Sequence, residues 1–200
     1  MFHHPMSLLR QRARIIIIVG FVFALVALII TFLFPLQYRA DAQVLVISKS
    51  RYGVDPYTVV RSAERVGENV AQVMTTNDFF GKVMAQQKYA LDQSYFQNVS
   101  ELTKRKRWQK TLQPSMVYGT GVLNVRVYHK DKAQALALAN ASASVLASDG
   151  WEYVGGDVAF KIVNEAVATQ WPVRPNVILN TLIGFVVGLF VMAFVAVRRG

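Results

Sequence analysis

The side chains that could carry chemistry in this chain are few, and their spacing argues against a catalytic centre. Among 200 residues there are 3 histidines and no cysteine. His3 and His4 sit in the N-terminal tail, and His129 stands alone between Tyr128 and Lys130. Without cysteine there are no disulfides, thiolate metal sites or thiol nucleophiles. The 12 acidic residues are scattered, with no His-Glu-x-x-His or paired-carboxylate spacing, and no Gly-x-Ser-x-Gly elbow occurs. A Gly-x-x-x-x-Gly-Lys-Ser/Thr phosphate loop is also missing, so no kinase of that type is fused here. The chain reads as a non-enzyme with no cofactor and no metal.

Charge does cluster. Lys104, Arg105, Lys106 and Arg107 are consecutive, with Trp108 and Lys110 beyond, in a chain of net charge +10. Such a run usually forms a solvated helix face or loop. The sharper reading is contact with a polyanion, either anionic sugar chains or lipid phosphates. Nucleic acid is set aside, because the topology argued below puts this run across the membrane from it and no recognition motif surrounds it. Asn98-Val99-Ser100 and Asn140-Ala141-Ser142 fit the glycosylation pattern, but so short a pattern recurs by chance and no modification is expected.

Two apolar runs position everything else. Residues 15–36 are apolar except Gly20, Thr31 and Pro35. Residues 177–197 carry no charge and would span about 32 Å as a helix, matching a hydrocarbon core of roughly 30 Å. Both runs are read as transmembrane helices. Arg10, Arg12 and Arg14 flank the first, and Arg198 and Arg199 the second. Flanking basic residues favour the cytoplasm, so tails 1–14 and 198–200 lie inside and residues 37–170 outside. A cleavable signal peptide is the rival for the first run, with Ala40-Asp41-Ala42 as a loose cleavage site. The run exceeds the usual ~7–15-residue signal core, and charged Arg39 and Asp41 crowd that site.

A connector, residues 171–176, joins the outer domain to the second helix. Pro172 and Pro175 favour an extended polyproline-like strut, Trp171 suits the headgroup level, and Asn176 can cap the helix. Within that helix Gly184 and Gly188 lie one turn apart, a candidate packing seam for self-association.

Between the helices the periodicity alternates. Tyr38, Ala40, Ala42, Val44 and Val46 share one face of a strand. Ser50–Gly53 turns the chain, and Asp55 with Pro56 opens a helix whose stripe is Val59, Ala63, Val66, Val70 and Val73. A shorter helix carries Phe79, Phe80, Val83 and Met84. Ser100 opens a third, with Leu102, Trp108 and Leu112. Leu123, Val125 and Val127 form a second strand. Asp131 starts an alanine-rich helix carrying Ala133, Leu136, Ala139, Ala143 and Leu146, which Gly150 ends. Val158, Phe160 and Ile162 form a last strand. The strand–helix–strand succession predicts that the second and last strands are parallel and both antiparallel to the first.

In order, these pieces resemble the polysaccharide co-polymerase, or chain-length determinant (Wzz-like), family, which includes the transmembrane adaptors of bacterial tyrosine autokinases. Tyr38-Arg39-Ala40-Asp41-Ala42-Gln43-Val44-Leu45-Val46 is similar to its first strand. Gly119-Thr120-Gly121-Val122-Leu123-Asn124-Val125, with Asp131, Ala135 and Asn140, is similar to its second strand and alanine-rich helix. Ile162-Val163-Asn164-Glu165-Ala166 is similar to its last strand. Pro172-Val173-Arg174-Pro175-Asn176, leading to Gly184 and Gly188, is similar to its proline-rich approach to the membrane. The chain departs from the family in having no proline near Ala168 and no room for a long helical arm.

The resemblance implies an α+β fold, a small mixed β-sheet with helices (a ferredoxin-like base domain) between two transmembrane helices. It implies a bacterial inner-membrane protein that forms a homo-oligomeric ring. Such a ring would regulate chain length, polymerisation or export of a capsule, exopolysaccharide or O-antigen by scaffolding. Its partners would be a membrane polymerase or exporter and a glycan, free or polyprenyl-linked. The alternative is an adaptor that activates a separate cytoplasmic tyrosine kinase. A C-terminal tail of three residues without tyrosine is expected to leave little for that kinase to dock on or phosphorylate.

Overall fold

The computed structural model describes residues 12–48, 55–155 and 157–198. His3, His4, Arg10, the Ser50–Gly53 turn and Arg199 lie outside the described residues. Two compact units divide at Leu36/Gln37 and Pro172/Val173.

The first unit is a pair of membrane-length helices, α1 (Ala13–Phe32) and α7 (Val177–Arg198). Their lateral surfaces are apolar, with Ile18, Phe21, Leu25, Ile178, Phe190 and Phe194 all more than half exposed, as lipid-facing side chains are.

The second unit holds β1 (Tyr38–Ser48), α2 (Pro56–Val73), α3 (Asn77–Met84), a 3-10 turn (Ser94–Phe96) and α4 (Glu101–Thr111). It continues through β2 (Leu112–Val117), β3 (Val122–His129), α5 (Lys132–Asp149), α6 (Trp151–Val154) and β4 (Val158–Ala168). The sheet order is β2-β3-β1-β4, and every neighbouring pair is antiparallel. This is the βαββαβ arrangement of ferredoxin-like domains. The α+β reading holds, as do the strand directions: β3 and β4 run the same way. They do not pair with each other, because β1 lies between them, which makes the sheet antiparallel where a mixed one was expected.

β2 has no counterpart in the sequence reading. It contains Pro114, which an edge strand tolerates because one row of its backbone groups needs no ladder partner. Leu112, expected on the preceding helix, is its first residue and is fully buried. Gly119 and Gly121, at φ of +76° and +68°, supply the left-handed conformations of the β2–β3 turn.

Side-chain caps start α2, α3, α4 and α5. Asp55 accepts from the Thr58 N–H, Thr76 from Phe79, Ser100 from Thr103 and Asp131 from Ala133. On α2 the buried positions are Ala63, Gly67 and Val70, with Met74 just past its end continuing the spacing of four, three and four, while Val59, Val66 and Val73 of the expected stripe are half-buried. The alanine helix α5 buries a broader surface than a stripe: Ala135, Leu138, Ala139, Ala141, Ser142, Ala143, Val145 and Leu146. Ala133 is exposed instead. Gly150 follows α5, but its φ is −58°, so it is no left-handed cap. A Cβ there would stand 2.6 Å from the Phe160 ring, so glycine lets the helix end approach β4.

Candidate functional site

Asn176 Oδ1 accepts from the Leu179 N–H at 3.1 Å and caps α7. Trp171 is 79% exposed. Bends at Gln170, Trp171 and Pro175 interrupt the extended run expected from Pro172 and Pro175, and the Arg174–Pro175 peptide is cis.

Gly184 and Gly188 face α1 of the same chain. A Cβ on Gly184 would lie 2.5 Å from Ala27 Cβ, and one on Gly188 would lie 2.7 Å from Phe23 Cβ. Gly20 answers from the other side, where a Cβ would meet Phe185 and Leu189 at 2.9 Å. Small residues on both helices let the backbones close up, which is how helices associate in lipid. The seam read as self-association is filled within one chain. Asn180 Nδ2 adds a 3.3 Å hydrogen bond to Thr31 Oγ1, whose own proton goes to the Ala27 carbonyl at 2.7 Å.

The basic run lies on α4 and divides. Lys104 sits 5.0 Å from the centre of the Phe80 ring, with Glu101 Oε1 3.5 Å from its ammonium. Arg107 stacks on Tyr95 at 4.7 Å and donates to the Tyr95 carbonyl. Arg105 and Lys106 are exposed on the other face, together with Lys110. The four residues 104–107 therefore form no single polyanion surface. Between the two faces Trp108 is fully buried and donates from Nε1 to the Met74 carbonyl at 2.9 Å. Phe80 and Phe96 pack edge-on around it, with ring centres 5.1 and 6.0 Å away.

The face of the sheet opposite the helices carries a polar ladder. Gln43 donates to Asn124 Oδ1 at 2.9 Å and accepts from Asn164 Nδ2 at 2.5 Å, linking β3, β1 and β4. Beside it Asp41 bridges Arg39 at 2.7 Å and Arg126 at 3.5 Å. These cross-strand pairs fix register. Register shifts opposite Gln43 mark an irregularity in β4. Asn140 on α5 accepts there from the Ala166 N–H at 2.9 Å.

A last cluster ties α3 to α6. Tyr153 Oη donates to Asp78 at 2.5 Å, and Lys82 pairs with Glu152. Burial, then the Asp78 bond, pushes the Tyr153 phenol up to about 12. The Glu152 bond raises the Lys82 ammonium above its ordinary value. Elsewhere the Ser94 N–H lowers the Asp92 carboxyl. His129 Nδ1 accepts from the Asp131 N–H at 3.1 Å. Among the described residues no three metal-ligating side chains converge.

No curated protein matches the chain. Residues 6–90, which run from the N-terminal tail through α1, β1, α2 and α3, match the family model of Wzz, the chain length determinant proteins, and over that segment the chain is similar to that family.

Proposed function

We propose that this chain is a two-pass inner-membrane polysaccharide co-polymerase that sets the length of a surface polysaccharide. One observation carries the reading. A match to the chain length determinant family coincides with a ferredoxin-like domain bracketed by two membrane-length helices. Both tails lie in the cytoplasm and residues 37–170 lie outside. Copies assemble into a ring that holds a membrane polymerase or exporter and the growing glycan, whether capsule, exopolysaccharide or O-antigen. The protein acts by scaffolding, and no residue transfers a group. Deleting the gene should shift the length distribution of surface polysaccharide, and restoring it should reverse the shift. An unchanged distribution after deletion overturns the reading.

A further inference from the structure

At the end of the sheet away from Tyr38 and Ala168, the β2–β3 turn leans on the first turns of α2. Glu64 Oε1 accepts from the Gly119 N–H and ties the turn to the helix. Between them opens a cleft of about 320 Å³ lined by Tyr57, Val60, Arg61, Glu64, Tyr118 and Gly119. Its size falls in the range of small-ligand sites, roughly 300–1,000 Å³. Folding does not account for its tyrosines. Tyr118 is 89% exposed and Tyr57 63% exposed. The turn beneath Tyr118 is also held by Thr120, whose Oγ1 donates to the Val117 carbonyl at 2.9 Å and accepts from the Val122 N–H at 3.2 Å. The Arg61 guanidinium lies 5.1 Å from the centre of the Tyr57 ring, which orients it at the cleft.

We infer that this cleft binds a hydroxyl-rich, uncharged stretch of glycan, a site that rests on the chain-length reading for its ligand class. The chemistry is that of sugar recognition. Rigid tyrosine rings offer flat apolar faces to the C–H face of a pyranose at little entropic cost. Arg61 supplies donors, and Glu64 has a second carboxylate oxygen to accept from vicinal hydroxyls. One positive and one negative group side by side suit a neutral ligand better than a polyanion.

The test uses the full chain in lipid nanodiscs, titrated with maltoheptaose, chitohexaose and surface polysaccharide from the cells that encode it. Saturable binding of at least one of these is expected, weakened about ten-fold or more by Tyr57→Ala or Tyr118→Ala, the loss of one stacking contact. Arg105→Gln, on the exposed face of α4, should leave binding unchanged. No binding to any of the three overturns the cleft, as does equal binding by the tyrosine variants. A Tyr118→Ala chain that binds normally but no longer self-associates also overturns it and makes the cleft a contact between copies. Complementation separates the two claims. If deletion shifts polysaccharide length and the Tyr118→Ala gene restores it fully, the cleft fails and the chain-length role stands. If deletion shifts nothing while binding depends on both tyrosines, the role fails and the cleft stands.

Discussion

Trp108 is fully buried, with the Phe80 and Phe96 rings packed edge-on around its indole. Its place on the helix that Ser100 opens is legible, because a cap and a helical spacing are local signals. Its partner is the Met74 carbonyl, 34 positions away, and no pattern in the sequence announces that bond. Trp108→Ala should cost about 3–5 kcal/mol in urea unfolding, the usual loss for a large buried aromatic. Trp108→Phe keeps most of the apolar contact but strands the buried Met74 carbonyl, so it should still cost about 1–3 kcal/mol. Tyr153 makes a pH-dependent counterpart. Its folded pKa is raised from 10.0 to about 12, so the neutral phenol is the form the fold prefers. The stability this contributes is complete below pH 10 and drains away as pH climbs towards 12. Tyr153→Phe should therefore flatten the decline in unfolding free energy over that window, although the Lys82–Glu152 pair beside it keeps its own alkaline dependence. An unaltered slope would show that the phenol is not responsible.

Among the elements, β1 is readable by its alternation, α2 and α5 by a helical period behind a cap, and α7 by its uncharged apolar length. β2 is not, since a six-residue strand interrupted by Pro114 carries neither a clean alternation nor a turn signal at its start. The position of β1 between β3 and β4 was equally hidden. Directions follow from how the chain enters and leaves a sheet, but strand order depends on which faces the helices bury. The α1–α7 pairing is a similar case, because Gly184 and Gly188 signal close approach without naming the partner. The absence of cysteine makes this pairing directly testable. Thr31→Cys with Asn180→Cys should form an oxidative cross-link within one chain, because the native side chains meet at 3.3 Å. Adding Gly184→Leu and Gly188→Leu should suppress that cross-link, since each new side chain would collide with α1. Cross-linked dimers in place of a faster-migrating monomer would reassign the seam to self-association.

For the whole molecule, the proposed role depends on which side of the bilayer the ferredoxin-like domain occupies. Arg12, Arg14 and Arg198 lie at the outer ends of the two membrane-length helices, away from the domain in sequence. Flanking basic residues favour the cytoplasmic side, whereas a domain of more than a hundred residues crosses largely regardless of its own charge. The basic residues within 37–170 are thus no obstacle to their crossing. Single cysteines can report this without background. Tyr118→Cys, at an 89% exposed position, should react in intact spheroplasts with a maleimide that cannot cross the membrane. Arg198→Cys should react only after the membrane is opened. The same two variants probed with a permeant maleimide should both label, which separates sidedness from burial. If Arg198→Cys labels first and Tyr118→Cys only after lysis, the domain faces the cytoplasm. It could then meet neither a polymer growing outside nor the sugar proposed for its cleft.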